Sequence, residues 1–561
     1  MKRIIKFGPE AREKLLKGVE LAATAIRTTL GPRGAAAIIH TQAQAFPLLA
    51  DDGALVSKCI QSADAAENTG CSIIREVATQ ADDGGGDGTT SATIFAHAVI
   101  KDAIDAVNKG ASKKKVKDGI VAATKLANDE ISKLVHTVEN REQLRNIAFV
   151  SSNDMEIANL VADAVDSVGK YGVVQVEEGT MQETKVIRAN GIKFERGFVD
   201  RLLTTDPVRG IFEVKDCRIL ILDHELDNVA EAIKILELAI TKSVPILIIC
   251  NGCRNDAALA YLRANRQQYG LKLCIVKAPG HGDLKVQYLQ DIADATGGTV
   301  FGTTTGAALD KLQADPNKPN CNSDDFLHLL GTGDVTVNQH ETTIVLKEMT
   351  EAAKETAEKL KAQLDGNELS DYDRNIVQDR LANLTSGIAL IKVGGSTDTE
   401  IAAKKVKIDD AKNATVSANK YGYVLGGGSA YVWASMKLGE AIAAMEEDSD
   451  KDFVTGMKIV ASALLQVTTQ LIVNSGEDPA TFLADIINAM HKEKKPEYGF
   501  DALNNKVVNM YEEGIIDSAR VVSNSLVKAL SVASTVIMAE TLITEEAEES
   551  DKINFGLLNR K

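Results

Sequence analysis

Cysteine is scarce in this sequence: there are seven among 561 residues, an odd number. Disulfide-stabilised extracellular proteins usually carry an even set at regular spacing, so this usage indicates buried thiols in a reducing compartment. Cys250 and Cys253 have the spacing of a redox or half-zinc motif, but no second cysteine pair or nearby histidine pair completes a zinc site. Cys250 ends a predicted buried strand, where a thiol behaves as a small apolar side chain.

Long apolar runs are missing as well. The longest, such as residues 244–250, fall far short of the ~20 residues that a membrane-spanning helix needs, and residues 1–8 contain no apolar stretch of signal-peptide length. Basic residues are outnumbered, since 63 Lys and Arg against 79 Asp and Glu give a net charge of −16. This charge argues against nucleic acid or an anionic membrane as the main partner. From the cysteine usage and the missing signal-peptide stretch we expect a cytoplasmic protein.

What the sequence does contain is material for several domains. With 44% hydrophobic and 25% charged residues, the chain is globular in composition, and its length predicts about three or four domains. Apolar residues recur at helical spacing in residues 9–30, 89–109 and 116–135, and again in the last third. Strand patterns lie between them, at residues 173–177, 184–189, 218–222, 244–250 and 271–276. We therefore predict a multidomain α and α/β fold.

A glycine-rich stretch, residues 81–93, directly precedes one of the predicted helices. Its glycines allow backbone conformations that a side chain forbids, and Thr89, Thr90 and Ser91 would bring N–H groups and hydroxyls to a positive helix N-terminus. A carboxylate at Asp87 makes physical sense there if a hard cation such as Mg²⁺ bridges it to phosphate. The stretch lacks the P-loop pattern, so an ordinary flexible loop capped by Thr89 is the alternative interpretation.

A series of motifs in family order resembles the group I chaperonins, the sixty-kilodalton heat-shock family, over nearly the whole chain. The motifs are Thr29-Leu-Gly-Pro-Arg-Gly34, Asp52-Gly53, Gly86-Asp-Gly-Thr-Thr90, Lys277-Ala-Pro-Gly280, Gly282-Asp283, Thr296-Gly-Gly298, Ser370-Asp-Tyr-Asp-Arg374, Ile391-Lys-Val-Gly394, Gly426-Gly-Gly428 and Gly514-Ile-Ile-Asp517. The resemblance implies nested domains: a mostly helical equatorial ATPase domain (1–134 and 422–561), a small α/β intermediate domain (135–189 and 389–421) and an α/β apical substrate-binding domain (190–388).

The resemblance also implies an ATP site with magnesium, and potassium is a further candidate cation. Asp87 matches the magnesium ligand, and Asp410 matches the catalytic carboxylate that positions the attacking water. Asp52 matches a second acidic catalytic residue, and Asp409 competes with Asp410 for its role. Without the family, we would interpret Asp410 as a solvated helix residue. The residues that match nucleotide-binding positions are Thr29, Leu30, Gly31, Pro32, Asp87, Gly88, Thr89, Thr90, Ser91, Gly427, Asp501, Ala502 and Asp517.

The resemblance implies a second site, an apolar groove in the apical domain that binds non-native proteins. The matching positions are Phe198, Leu202, Leu203, Ile233, Leu236, Leu259, Arg263 and Ala264, with Leu262 between the last three. Most of them are apolar, and Arg263 is an intruding charge that, with Asp200, predicts a changed client range or co-chaperonin contact. The alternative is that these residues are ordinary core, because Ile233 and Leu236 have simple helical spacing.

Several positions depart from the family pattern. Asp51 replaces a lysine that lies next to the phosphates, which predicts weaker nucleotide binding unless Arg33 or Lys58 compensates. Asp501 replaces a common asparagine near the adenine end. Thr469 replaces an arginine that pairs between rings with the position of Asp478 here. The polar residues 315–325 look inserted, and the glycine-methionine tail is missing. We interpret the chain as a divergent member, with a viral source as one explanation.

The resemblance implies an ATP-driven ring chaperonin that captures unfolded or partly folded proteins. It also implies a homo-oligomer with seven subunits per ring. A co-chaperonin is a further candidate partner. The alternative is a passive holdase or scaffold that kept the fold and lost the ATPase cycle. Retention of Asp52, Asp87 and Asp410 favours an active ATPase, because phosphoryl transfer needs a metal and an oriented water.

Overall fold

The computed structural model describes residues 2–40, 48–50, 53–85, 87–169, 172–179, 182–207, 209–253, 256–280, 282–302, 329–365, 371–385, 387–445 and 449–546. Its helices, numbered in chain order, are α1 Gly8–Arg27, α2 Gly53–Cys59, α3 Ala65–Gly85, α4 Thr89–Asn108, α5 Lys113–Ser132, α6 Arg141–Ser152, α7 Met155–Val168, α8 Val229–Lys242, α9 Asp256–Tyr269, α10 Asp283–Thr296, α11 Glu351–Asp365, α12 Asp371–Thr385, α13 Asp398–Tyr421, α14 Ser429–Ala443, α15 Lys451–Leu464, α16 Gln466–Asn474, α17 Pro479–Glu493 and α18 Ala519–Val536.

The strands are β1 Lys2–Phe7, β2 Ala37–Ile39, β3 Leu48–Ala50, β4 Val173–Glu178, β5 Lys185–Phe194, β6 Phe212–Leu222, β7 Ile246–Cys250, β8 Leu273–Lys277, β9 Val300–Phe301, β10 Gly331–Val337, β11 Thr342–Leu346, β12 Ile388–Val393, β13 Tyr423–Leu425, β14 Tyr498–Asp501, β15 Lys506–Asn509, β16 Ile516–Ser518 and β17 Thr541–Glu546. The chain forms two compact units, one of Met1–Asp163 with Thr397–Lys561 and one of Ala164–Ser396.

The first unit is a helical body made from both ends of the chain. Its core is one large apolar cluster, to which α1, α3, α4, α5, α14, α15 and α18 all contribute. Phe95 of α4 meets Tyr431 of α14 edge to face, with 4.8 Å between the ring centroids. These two helices follow the first and the second glycine motif of the sequence, so the core brings the two motifs to the same part of the unit.

Glycines allow two pairs of helices in this body to cross at short range. At the crossing of α1 and α3, Gly18 faces Gly70, and a Cβ at Gly18 would overlap the backbone carbonyl of Glu67. Gly119 of α5 and Gly456 of α15 meet in the same way. A larger residue at these positions would push the helices apart and open the core.

The two ends of the chain are joined by a small antiparallel sheet. Strands β1 and β17 pair from Lys2 with Glu546 to Phe7 with Thr541. Three of their apolar side chains are exposed: Ile5, Phe7 and Ile543. A second two-stranded sheet, β2 with β3, carries the exposed Ile38. Among the described residues each of these two sheets has two strands, so both have open edges.

The second unit is built on a mixed nine-stranded sheet. The strand order is β4-β12-β5-β11-β10-β6-β7-β8, with β9 paired to β6. Strands β6, β7 and β8 are parallel, and β7, most of β8 and residues 219–222 of β6 are buried on both faces. Alternate residues of these strands contribute to two separate cores, one covered by α8 and α9 and the other by α10, α11 and α12. The predicted α/β class, and the overall α and α/β fold, are confirmed.

The finer division at residues 134, 189, 388 and 421 stays a prediction. The predicted inserted stretch at 315–325 and Ser370 of the motif Ser370-Asp-Tyr-Asp-Arg374 lie outside the described residues. The six described cysteines form no disulfide with one another, and five of them are buried, as expected. Burial raises the pKa of the Cys250 thiol to about 12, which agrees with an inert apolar role for the Cys250–Cys253 pair.

One stretch, Lys451–Asn474, is long and apolar enough to cross a membrane by length and composition alone. It corresponds to α15 and α16, and 56% of its most apolar window is buried inside the protein. Met457, Val460 and Leu464 belong to the core of the helical unit. The apolar character of this stretch is therefore explained by packing within the fold.

Candidate nucleotide and client-binding sites

Helix α4 begins directly after the glycine-rich stretch, and its N-cap residue is a glycine. Gly88 precedes it in the left-handed conformation, with φ of 87°, and this N-cap residue has no side chain that could cap the helix. A Cβ at Gly88 would overlap the hydroxyl of Ser525, so only glycine fits there without rearrangement. Uncapped N–H groups and the helix dipole make such a start a favourable place for an anion.

The carboxylate of Asp87 is held on both oxygens next to this helix start. The hydroxyl of Ser151 donates to its Oδ2 at 2.8 Å, and the N–H of Gly88 donates to its Oδ1. Ser151 is near the end of α6, which is far from Asp87 in the sequence. The side chain is half-buried, so its orientation is set by these contacts while part of it stays accessible.

A second carboxylate, Asp517, lies close enough to Asp87 for their charges to interact. Strand β16 pairs with β13, placing Asp517 opposite Val424 just before the triple glycine, and the N–H of Gly427 donates to the Asp517 carboxylate. Burial raises the pKa of Asp517 to about 7; the charge of Asp87 adds to the increase, and the Gly427 hydrogen bond opposes it. Part of Asp517 still reaches solvent, and we call the segments around Asp87 and Asp517 the candidate nucleotide cleft.

The turn at Thr29–Pro32 is fixed from two sides. Asn474 donates through Nδ2 to the carbonyl oxygens of Arg27 and Leu30, at 3.1 and 2.9 Å. Asn153 donates through Nδ2 to the carbonyl oxygen of Pro32 at 3.3 Å. Gly31 adopts a left-handed φ of 79° against Leu471.

The start of α2 connects this turn to α4. Gly53 is packed so closely against the Thr90 hydroxyl and Ile26 that a Cβ would collide with Thr90. Ile26 lies in the last turn of α1, directly before Thr29. The structure therefore brings together two of the predicted nucleotide-binding segments, the turn after α1 and the start of α4, with the start of α2, which follows Asp52 in the sequence.

Asp501 and Ala502 follow Phe500, which lies close to Gly427. A Cβ at Gly427 would contact the carbonyl oxygen of Phe500 at 3.4 Å, so the end of β14 is adjacent to the triple glycine. Ala502 is buried, and Asp501 is engaged by its own turn. Its carboxylate accepts from the N–H groups of Leu503 and Asn504 and from the side chain of Asn504 at 2.7 Å. In this structure the Asp501 side chain stabilises a turn.

Of the two predicted catalytic acids, Asp410 lies within the described residues and Asp52 does not. Asp410 is half-buried on α13. Seven residues later, about two turns and 10 Å along the same face, Ser417 bonds the Ser518 hydroxyl at 3.0 Å, next to Asp517. Its neighbour Asp409 forms an ion pair with Lys412 at 2.7 Å. Asp52, and the replaced position Asp51, lie outside the described residues.

These residues fit magnesium bound together with a nucleotide. Mg²⁺ commonly takes one or two protein carboxylates and completes its octahedron with phosphate oxygens and water. The paired carboxylates of Asp87 and Asp517 have this chemistry, and a cation would offset their mutual repulsion. Within the described ranges, no three His, Cys, Asp or Glu side chains cluster into a site that the protein alone could close around a metal.

The sequence matches the TCP-1/cpn60 chaperonin family over residues 22–547. The chain belongs to this family. A solved structure with the same fold is that of the chaperonin gp146 from bacteriophage EL 2 (Pseudomonas aeruginosa), determined in the presence of ATP-BeFx. It is 20% identical to this chaperonin, with a TM-score of 0.68, and the match covers 97% of this chain and 100% of the phage chain. The predicted resemblance is confirmed at the level of the family.

The predicted client-binding residues of this chaperonin divide between core and surface. Leu203, Leu236 and Leu259 are buried in the core beneath α8 and α9. Their burial agrees with the alternative that they are core residues, and they offer little surface in this conformation. Ile233 is half-buried, whereas Ala264 is exposed and Leu202 is 57% exposed. Phe198 bridges to Val276 of β8 and lines a cavity of about 430 Å³.

Arg263 is not the isolated intruding charge that the sequence predicts. Its guanidinium forms an ion pair with Asp200, which also caps the short 3-10 helix Arg201–Leu203 by accepting from the Leu202 N–H. Arg266, one turn further along α9, donates to the carbonyl oxygens of Leu202 and Thr204. The two arginines of α9 therefore hold the segment that presents Leu202.

Sequence reasoning missed the contributions of Ser151, Asn153 and Asn474 to the nucleotide cleft. Residues 151–154 predict a helix cap, and Asp154 does cap α7 by accepting from the N–H groups of Glu156 and Ile157. That local signal accounts for the segment and hides its long-range contacts. Arg33 is a candidate to replace the positive charge that is lost at position 51. In this structure its guanidinium donates to the carbonyl oxygen of Leu503 at 2.7 Å.

Proposed function

We propose that this chaperonin is an ATPase that couples hydrolysis to the binding and release of non-native proteins. The observation that carries the proposal is the proximity of the Asp87 and Asp517 charges beside Gly427, next to the start of α4, whose N-cap residue Gly88 has no side chain. A carboxylate pair beside an anion-binding helix start is a poor structural element by itself, because both groups lose hydration and repel each other. The same pair suits a phosphate chain that carries a divalent cation.

The chain's own residues divide the work of binding. The N–H groups of Thr89, Thr90 and Ser91 would bind phosphate oxygens, and Asp87 and Asp517 would hold Mg²⁺, which supplies charge neutralisation when bound. The turn at Thr29–Pro32 would line one wall, while Gly427 with residues 501–502 would line the other. The phage chaperonin gp146, determined with ATP-BeFx, supports a nucleotide as the ligand of this fold.

Water activation is assigned to Asp410, with Asp52 as its partner. Asp409, which pairs with Lys412, is the alternative candidate for this role. Since α13 packs against both α6 and β16, a displacement of α13 would move Asp410 relative to Asp517. Such an arrangement makes hydrolysis depend on the position of a helix and thereby links it to conformational change.

We propose a homo-oligomeric ring assembled through the β1–β17 sheet and the β2–β3 sheet. Two open edges in one subunit, with exposed Ile5, Phe7, Ile38 and Ile543, are suited to pairing between neighbouring copies, which would bury both edges. Association between rings is expected to be weak. Thr469 bonds its own helix at Leu465, and Asp478 caps α17, so neither provides the inter-ring ion pair that the family pattern has.

Clients would bind the surface around Leu202, held in place by Arg263 and Arg266. We further propose a cytoplasmic location and, for this divergent sequence, a viral source; a co-chaperonin is a candidate partner for the same surface. The 134, 189, 388 and 421 boundaries would separate the parts that move.

Steady-state phosphate release with and without Mg²⁺ tests the ATPase. Wild-type protein is expected to hydrolyse ATP only with the metal, and Asp87→Ala is expected to lose both hydrolysis and tight nucleotide binding. A wild type that releases no phosphate under any condition, yet suppresses client aggregation, would replace this proposal with the passive holdase. Electron microscopy of the same preparation would establish whether rings form and whether they pair.

A further inference from the structure

The end of α6 contacts two loops that carry candidate nucleotide-binding residues. Ser151 donates to Asp87 Oδ2 at 2.8 Å, and two residues later Asn153 donates to the carbonyl oxygen of Pro32 at 3.3 Å. Asn153 has a left-handed φ of 51° and ends the helix. Neither residue is among those that the family resemblance implies.

The side of α6 also touches the remaining parts of the cleft. Ile147 packs in one apolar cluster with Ala414 of α13 and Ile516 of β16. Gly514, which leads into β16, lies directly against the side chain of Asn146. Helix α6 therefore contacts both the helix that carries Asp410 and the strand that carries Asp517, while its end reaches Asp87.

The bond from Ser151 differs from what a serine in this position usually makes. A serine near a helix end commonly donates to the carbonyl four residues earlier, and the adjacent Ser152 does this, bonding Ala148 at 2.8 Å. Ser151 instead crosses to a loop 64 residues away in sequence. Together with the Gly88 N–H on the other oxygen, it fixes the plane of the Asp87 carboxylate.

A hydroxyl donor on Oδ2 does not compete with a metal. Each carboxylate oxygen has two lone-pair directions, so an oxygen that accepts a hydrogen bond can still bind a cation. Donors of this kind orient metal-binding carboxylates, and their removal typically weakens metal affinity or activity by 10–100-fold.

We propose that Ser151 is a positioning residue that holds Asp87 in the orientation in which it meets a magnesium–nucleotide complex. This inference rests on the proposed nucleotide-binding function. It predicts that the Ser151 hydroxyl affects magnesium-dependent binding specifically and leaves the metal-independent part of nucleotide binding intact.

The test compares Ser151→Ala, Ser151→Thr and the matched control Ser152→Ala in the full-length protein. Magnesium is titrated at fixed ADP while the fluorescence of Trp433, the only tryptophan of the chain, is recorded; phosphate release from ATP is titrated in parallel. Ser151→Ala should raise the magnesium concentration for half-saturation by about 10-fold in both assays, with kcat at saturating magnesium within about threefold of wild type. Ser151→Thr, which keeps the hydroxyl, should stay near wild type, and so should Ser152→Ala.

Three results would overturn the inference. Unchanged magnesium dependence in Ser151→Ala, while wild type binds Mg-ADP, would remove the positioning role and leave the proposed function standing. An equal loss in Ser152→Ala, or an equal loss of ADP binding without magnesium, would assign the effect to a loosened α6. A wild type that binds no nucleotide at all would overturn the proposed function, and the inference with it.

Discussion

Replacing Asp517 with asparagine should make the nucleotide-free protein more stable at neutral pH. Asparagine has nearly the same shape and keeps an oxygen that can accept the Gly427 N–H, but it carries no charge. The carboxylate of Asp517 is disfavoured first by burial and second by the charge of Asp87. Removing that charge therefore relieves a cost that the folded protein carries while the site holds no cation.

The size and sign follow from the pKa difference between the folded and unfolded states. In the unfolded chain the Asp517 carboxyl titrates near 3.8, and in the folded protein it titrates at about 7. Between these values the folded protein holds a proton that the unfolded chain has released, so stability falls as pH rises through this window and the loss is complete above pH 7. The interval corresponds to on the order of 2–4 kcal/mol.

Urea unfolding followed by Trp433 fluorescence measures this effect. Trp433 lies on α14, the helix that follows the triple glycine, so its signal reports on the unfolding of the helical unit that contains Asp517. The Asp517→Asn variant should gain stability over wild type between pH 5 and pH 8 by about 2–3 kcal/mol. Asp87→Asn should recover a smaller part, since its charge is the second cause.

Parallel pH profiles for wild type and Asp517→Asn would refute the reasoning, because they would mean that Asp517 ionises as freely in the folded protein as in the unfolded chain. Saturating Mg-ADP provides a second check. It should flatten the wild-type profile, since a cation between the carboxylates offsets the repulsion.

Three further predictions concern catalysis, clients and assembly. Asp410→Ala should lower kcat by about 10² with ATP affinity nearly unchanged, whereas Asp409→Ala should stay near wild type; single-turnover phosphate release measures both, and the opposite ranking would reassign the water-positioning role. Leu202→Ser should weaken suppression of client aggregation, while Leu236→Ser, at a core position, should chiefly lower the free energy of unfolding by roughly 3–5 kcal/mol; capture lost only in the second variant would contradict this division. Phe7→Ser should shift native mass spectra from rings towards monomers, and an unchanged ring population would show that the β1–β17 face is not an interface.

Patterns with a short period could be predicted from the sequence. The apolar runs at 244–250 and 271–276 correspond to β7 and β8 within two residues, because strands buried on both faces need continuous apolar residues. The glycine stretch before Thr89 predicted the helix start, since few other residues accept the left-handed φ of Gly88; the anion site there stays a prediction.

Long-range contacts could not be predicted in the same way. Nothing in the local sequence tells Ser151 from Ser152, and only the packing of α6 determines that one hydroxyl reaches Asp87 while the other bonds its own helix. The burial of Leu236 and the pairing of Arg263 with Asp200 likewise depend on how α8 and α9 lie on the sheet. A family resemblance transfers positions, whereas exposure and partners follow from the packing of this particular chain.

The pairing of β1 with β17 has a consequence for synthesis on the ribosome. The second unit, residues 164–396, is continuous, so all of it is available for folding once it has left the exit tunnel. The helical unit needs β17, which ends at Glu546. At roughly 5–20 residues per second, the 150 residues between 396 and 546 take about 10–30 s to translate. During this time the N-terminal helices expose the apolar faces that later form the core, so the nascent chaperonin itself depends on protection from aggregation.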